Sequence, residues 1–465
     1  LGWNEAFVQG RFTIDDAKPI WRTLIVFLIP LMLSNVLQAA SATFNSIYLG
    51  QLLGVKALAA VSVFFPIQFF LVSFFIGISN GSTVLIGQAY GAKDPERIRA
   101  IAGTTLSVAV LLGMFVAVVG GVFTEPVLRI IGTPADILVL AIAYAKLTFF
   151  ALPVFFVYLG YTTFMRGVGD SQTPFYFLIV STLLGLVLTP AFIRGWLGLP
   201  EFGVASAAVA STLSTIVGLA GILVVLHRRN DALAFNAAML RALRIEPSLL
   251  KAIIKIGLPT GLQFVMISLA EIAVITFVNR FGSTATAAYG AVNQIVSYVQ
   301  FPALSVGIAA SIFGAQSIGA QRYDRLTRIV RSGVTLNYVI TGSLFIIAYI
   351  FDHALLSAFV KDENTLEIAQ GLLFLTLWSY AIFGNTTVLS GVMRSSGTVI
   401  WPTLISIFSI WGVEVPVAYV LSQKTSLGLR GVWLAYPVAF LVALTLQTSY
   451  YKLVWRKRKL TPIAT

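Results

Sequence analysis

The chain has 465 residues, of which 58% are hydrophobic and only 11% charged, with a mean hydropathy of +0.90. Those values exclude a soluble protein of this length and indicate a polytopic membrane protein. Without cysteine, neither a disulfide framework nor a thiolate metal site is available, and the net charge of +13 follows topology rather than a nucleic-acid surface.

Apolar runs long enough to span a bilayer fall at 23–50, 57–89, 100–124, 137–164, 174–194 and 203–227. Six more fall at 253–279, 284–316, 329–351, 365–392, 400–421 and 430–453. Twelve transmembrane helices are therefore predicted, several long enough to tilt. Leu1 is not an initiator residue, so the natural chain is expected to start earlier, and the first residues lack the pattern of a signal peptide. With the N-terminus inside, the cytoplasmic segments hold 23 basic residues and the opposite face seven. The cytoplasmic set includes Arg11, Lys18 and Arg22, Lys93 to Arg99, Arg322 to Arg331, and Lys452 to Lys459. This places both termini in the cytoplasm and makes anionic membrane lipids natural partners. His227 and His353 stand near span ends, as solvated interfacial histidines do.

Residues 228–252 differ from the spans: they are basic, and Leu240, Leu243 and Ile245 are spaced like one helix face. They are predicted to form an amphipathic cytoplasmic linker between an N-terminal lobe, 1–227, and a C-terminal lobe, 253–465. The lobes are copies at an offset of 228. GVKALAAV from Gly54 faces GSTATAAY from Gly282, QAYGAKDPER from Gln88 faces QSIGAQRYDR from Gln316, and RGVGDSQTP from Arg166 faces RSSGTVIWP from Arg394. Six helices per copy is an even number, so the repeat is parallel. Two six-helix lobes about an axis along the membrane normal are expected.

Two acids stand deep in apolar spans, Glu271 and Glu414, each 12 residues past the proline that opens its segment, Pro259 or Pro402. That is about 18 Å along each helix, so if both run the same way the acids share a level. Charges at such depth mark pathways or partners. Their counterparts in the first copy, Thr43 and Leu186, are uncharged, which confines ionisable chemistry to the second lobe. Two neighbouring carboxylates in low dielectric cannot both ionise cheaply, so one is expected to keep its proton, which suits H+ as coupling ion better than Na+. An Na+ ion at Glu271 and Glu414 would need both ionised, plus neutral oxygens. Ser268 and the stripe Ser379, Thr386 and Ser390 could supply those. Pro416 removes the donor to the Gly412 carbonyl and can open the helix beside Glu414. Asn293, Gln294, Ser297, Tyr298 and Gln300 either line a substrate cavity or bridge helices. Lys146 is the only deep basic residue, where snorkelling or gating both fit, and Arg166 with Asp170 is expected to cap the loop between the fourth and fifth spans. No other cofactor is called for.

At the level of motifs, the chain resembles the MATE (multidrug and toxin extrusion) family, in its DinF-related branch. The resemblance is carried by Pro30, 50-GQLLGVKALAAV-61, 87-GQAYGAKDPERIR-99, 166-RGVGDSQTP-174 and 203-GVASAA-208, and by 257-GLP-259, 282-GSTATAAYGAVNQI-295 and 314-GAQSIGAQRYDRL-326. It implies a secondary transporter of the bacterial cell (inner) membrane. Inward H+ or Na+ would drive export of organic cations or other amphiphiles by alternating access of two lobes, and a monomer is expected. Many relatives carry first-lobe acids at the positions of Asn45 and Thr189, both neutral here. Others use an acid in the seventh helix about one turn before Glu271. No GxxxxGK[ST] loop exists for ATP, and an embedded enzyme would lack an oriented nucleophile. A flippase for lipid-linked saccharides is the remaining alternative, on a related two-lobe fold, but a pyrophosphate cargo would call for a cationic cavity.

Overall fold

The computed structural model describes residues 19–463, so Arg11 and Lys18 lie outside the described residues. These are helical almost throughout, as expected where every backbone group must find its partner within its own segment. The first half holds α1 (Ile20–Tyr48), α2 (Val55–Gly91), α3 (Pro95–Ile130), α4 (Ala135–Gly167), α5 (Gln172–Arg194) and α6 (Ser206–Arg228). A short α7 (Ala237–Ala242) precedes α8 (Pro247–Asn279), α9 (Ser283–Gly319), α10 (Asp324–Ile350) and α11 (Asp352–Ser357). Then come α12 (Glu363–Thr376), α13 (Ser379–Ser395), α14 (Ile400–Ile407), α15 (Val415–Gln423) and α16 (Leu429–Leu453). By length and composition, 11 helices among the described residues can cross a membrane. The twelfth crossing is α12 with α13, bent by 42°.

The repeat is written into the backbone. Left-handed φ values occur at Gly54 and Gly282 (86° and 94°), at Lys93 and Gln321 (59° and 58°) and at Gly169 and Gly397 (89° and 75°). Each pair is one offset apart, so the same tight turns recur at the same places. Lys93 and Gln321 take a conformation that side chains other than glycine seldom adopt, which makes their agreement the more telling.

The chain forms two compact units, Leu33–Gly257 and a second that joins the helix start up to Met32 to Leu258–Ile463. The divisions fall inside α1 and α8 rather than in the 228–252 segment. Within the second unit the start of α1 packs on α9, where Phe27 meets Phe313 edge-on at 5.2 Å. Within the first, the start of α8 lies on α2 through small residues. A Cβ on Gly257 would stand 2.6 Å from the Gly77 carbonyl oxygen, and one on Gly81 2.5 Å from that of Ile253. The linker helix is shorter than the spacing of Leu240, Leu243 and Ile245 predicts, since α7 ends at Ala242. All three side chains are nevertheless exposed.

The first unit's core is phenylalanine-rich. Phe156 stacks on Phe75 with centroids 4.4 Å apart, and Phe149 meets Phe64 edge-on at 5.1 Å. The second unit's core holds Tyr289, Tyr380 and Trp433 among its aliphatics.

Candidate functional site

Glu271 stands in the last third of α8 and Glu414 at the end of a π-helical segment, Phe408–Glu414, that joins α14 to α15. The π turn lies where Pro416 withholds its donor, and such bulges commonly mark functional positions. Three side-chain contacts link the two helices. Trp411 Nε1 donates to the Met266 carbonyl (3.1 Å), Phe277 meets Tyr419 (5.8 Å), and Arg280 Nη1 donates to Gln423 Oε1 (3.4 Å). The partners advance together along both helices, so α8 runs parallel to α14 and α15. Glu271 and Glu414 sit inside this frame at the same level.

Their surroundings differ. Glu414 is buried, 6% exposed, whereas Glu271 is exposed. The two carboxylates interact electrostatically with each other, and both interact with Tyr289 and Tyr380. Glu414 also feels Tyr436. Neither carboxylate has a hydrogen-bond or ion-pair partner among the described residues.

The tyrosines form a polar floor in an otherwise apolar core. Tyr289 on α9 stacks on Trp433 with centroids 5.4 Å apart and planes 4° from parallel, and its hydroxyl shares a 2.9 Å hydrogen bond with that of Tyr436 on α16. Asn293 lies one turn on from Tyr289, close enough to influence its hydroxyl. Tyr380, near the start of α13, is wedged against Phe440 at 5.2 Å. These residues escaped sequence reasoning, although three tyrosines within apolar spans, one just before Pro437, were a usable signal.

The other predicted residues scatter. Ser268 is half-buried on α8, one turn before Glu271, and Gln294 and Tyr298 are exposed on α9. On α13 the Ser379 hydroxyl donates to the Thr376 carbonyl and the Thr386 hydroxyl to that of Phe383, so both protons are engaged in their own chain. Ser390 is buried on the same helix, and Lys146 is exposed on α4. In the first unit Asn45 and Thr189 meet directly: the Thr189 hydroxyl donates to Asn45 Oδ1 at 3.1 Å. They occupy α1 and α5, the repeat counterparts of α8 and α14 with α15.

Two buried networks were unforeseen. Asn337 on α10 is fully buried and donates to the Ala381 carbonyl (2.7 Å) and to Asn385 Oδ1 (3.0 Å), while its own Oδ1 accepts from Thr341 (3.1 Å). Gly384 makes room, because a Cβ there would overlap Asn337 Oδ1. The second corrects the loop assignment. Asp170 is partnered not by Arg166 but by Arg229 at the end of α6 (3.1 Å) and by the backbone and hydroxyl of Thr173 (2.9 and 2.7 Å). Arg229 reaches back across the unit's corner, which sequence proximity does not reveal. Burial pushes the Asp170 carboxyl above the usual range, against the opposing pull of Thr173 and Arg229.

Two homologous helical units, one of them holding a carboxylate pair without a cationic partner among the described residues, are the frame of a polytopic membrane transporter, and its family and relatives place the chain among transporters rather than enzymes. The MatE family model matches the chain twice, over residues 30–191 and 259–420. The chain belongs to the MatE family. It is 51% identical to "Probable multidrug resistance protein YoeA" of Bacillus subtilis (strain 168), over 98% of this chain and 99% of that one. To "Probable multidrug resistance protein NorM" of Thermotoga maritima it is 25% identical, covering 96% and 95%. Among solved structures, an outward-facing multidrug resistance MATE family transporter of the MOP superfamily superposes with a TM-score of 0.85 at 22% identity, covering 93% and 95%.

Proposed function

We propose that the chain is a cation-coupled multidrug efflux transporter that exchanges inward-moving H+ for organic cations or amphiphiles by alternating access. Glu271 and Glu414 carry the coupling. The observation behind this reading is the pair itself: two acids at one level, in electrostatic contact, and without a basic partner among the described residues. An acid already neutralised by arginine has no proton to carry. Glu414 is enclosed and Glu271 open, so the pair can pass a proton between an accessible and a sheltered position. Tyrosine hydroxyls beside them can donate to whichever carboxylate is ionised. A proton asks for one ionisable oxygen at a time, whereas Na+ asks for both acids ionised and several further ligands. Small-molecule cations are the cargo that such an acidic site favours. A monomer in the bacterial cell membrane with both termini cytoplasmic completes the proposal.

The test is efflux of a fluorescent lipophilic cation from proteoliposomes under a pH gradient and, separately, an Na+ gradient, with Glu271→Gln protein alongside. Export driven by pH and lost in the variant is the expected result. Export driven by Na+ alone would recast the glutamates as metal ligands, and no export under either gradient would favour the flippase reading.

A further inference from the structure

At the end of α6 two adjacent arginines part company. Arg229 turns toward Asp170, while Arg228, with His227, faces a cavity of about 280 Å³ lined also by Leu223, Val224 and Phe235. The chain turns back on itself here. Asn230 takes a left-handed φ of 48°, and Asp231 accepts from the Leu233 amide (2.9 Å) through its carboxylate and from the Ala234 amide (3.0 Å) through its carbonyl. Leu233 and Ala234 are thereby buried, and Phe235 is set against α6. Asn236 then caps α7 by accepting from the Ala238 and Met239 amides.

The lining is graded. Leu223 and Val224 lie one turn before His227 and Arg228, so each apolar residue sits beneath a basic one on the same helix face. Val224 and Phe235 are 51% and 45% exposed, leaving the apolar side open to the membrane. Neither the His227 nor the Arg228 side chain has a partner among the described residues, and the nearby carboxylates of Asp170 and Asp231 are occupied elsewhere.

The geometry points to a binding site for one anionic phospholipid, its phosphate on Arg228 and His227 and an acyl chain along Leu223, Val224 and Phe235. A cavity this small takes the headgroup region, while the chains continue along the exposed apolar face. Free phosphate would leave the apolar wall unused, and a zwitterionic lipid would place its cationic group among basic residues.

Native mass spectrometry of the purified protein, titrated with phosphatidylglycerol, tests this independently of transport and of membrane orientation. Phosphatidylglycerol is expected to bind about tenfold more tightly than phosphatidylcholine of the same chains, and Arg228→Gln to remove that preference. Arg241→Gln, on α7 and outside the cavity, is expected to weaken binding by no more than about twofold, and Phe235→Ser to weaken both lipids. Equal losses from Arg228→Gln and Arg241→Gln would overturn the site in favour of diffuse attraction. Competition by glycerol 3-phosphate as strong as by the lipid would overturn the lipid assignment.

Discussion

The two units share a backbone but not an interior. Where α8 and the π-helical segment before α15 carry Glu271 and Glu414, the matching helices α1 and α5 bring together Asn45 and Thr189, a neutral pair joined by one hydrogen bond. The difference extends outward from the acids. Tyr289, Tyr380 and Tyr436 have Val61, Leu152 and Ala208 as their first-copy counterparts, and buried Asn337 has Ala109. A duplicated scaffold has thus kept its turns and changed its core at these positions, with tyrosines set around the acids of the second unit. A buried acid needs polar neighbours to be tolerated in either protonation state, whereas a neutral pair can sit in a phenylalanine core.

The largest expected effect belongs to the acids. Glu414→Gln and Glu271→Gln should each reduce gradient-driven efflux to the level of empty vesicles while leaving yield and apparent Tm near the wild type, because a neutral amide of the same shape loses only the proton. Wild-type efflux in both variants would end the claim that the second unit alone couples.

Next come the cores. In the first unit Phe156 occupies the position that Gly384 holds in the second, and Ala109 the position of Asn337, so a large and a small residue have traded places. Phe156→Ala should cost about 3–5 kcal/mol through the cavity it leaves. Gly384→Ala should cost about 2–4 kcal/mol, by overlap and by breaking the Asn337 hydrogen bonds. Thermal unfolding in detergent would report both. A Gly384→Ala protein as stable as the wild type would mean that the asparagine network has room to shift.

The corners offer a third contrast, with a pH signature. Asp170 and Arg229 close the first unit's corner, and in the second Trp455 Nε1 donates to Ser396 at 2.9 Å, with no charge involved. Arg229→Gln leaves Asp170 buried without its cation. Because Arg229 is about one-third exposed, the expected penalty at pH 7 is about 1–2 kcal/mol, below that of a fully buried pair. Burial already raises the Asp170 carboxyl, and losing Arg229 raises it further. An acid raised in the fold favours folding when protonated, so the penalty should shrink as pH falls through the raised range of Asp170 and be largely gone near the ordinary carboxylate value. Trp455→Phe should cost about 1 kcal/mol at every pH. Apparent Tm measured at pH 7 and pH 4 separates the two. A pH-independent loss for Arg229→Gln would show that packing, not charge, holds that corner.

What the sequence made legible was what depends on local composition and spacing. The spans follow from apolar runs, the repeat from an offset that recurs at Gly54, Gln88 and Arg166, and Glu271 and Glu414 stand out because charges are rare at that depth. The parallel course of their helices was only a condition in the sequence, and the contacts from α8 to the segment before α15 and to α15 itself meet it. What stayed hidden depends on which residues meet across helices. Arg229 lies 59 residues from Asp170, and Asn337 lies 48 from Asn385, distances at which no periodicity connects them. Tyr289, Tyr380 and Tyr436 read as ordinary aromatic packing until three helices converge around the acids. Ser379 and Thr386 show the opposite case, since a correct helical spacing says nothing of hydroxyls that bond to their own backbone.

The smallest expected effect is also the sharpest test of the division between units. Thr189→Val removes the hydroxyl that donates to Asn45 and replaces it with a methyl of nearly the same size. Thr189 is buried and Asn45 half-buried, so losing the bond should lower stability by about 1 kcal/mol. Efflux should stay within about twofold of the wild type, as for a substitution outside the coupling machinery. The same should hold for Asn45→Ala, and for the two combined, because neither residue can carry a proton near neutral pH. Should Thr189→Val instead abolish efflux while the protein remains folded, the neutral pair would have to act by holding α1 and α5 in register. Coupling would then depend on a first unit that moves with the second without titrating.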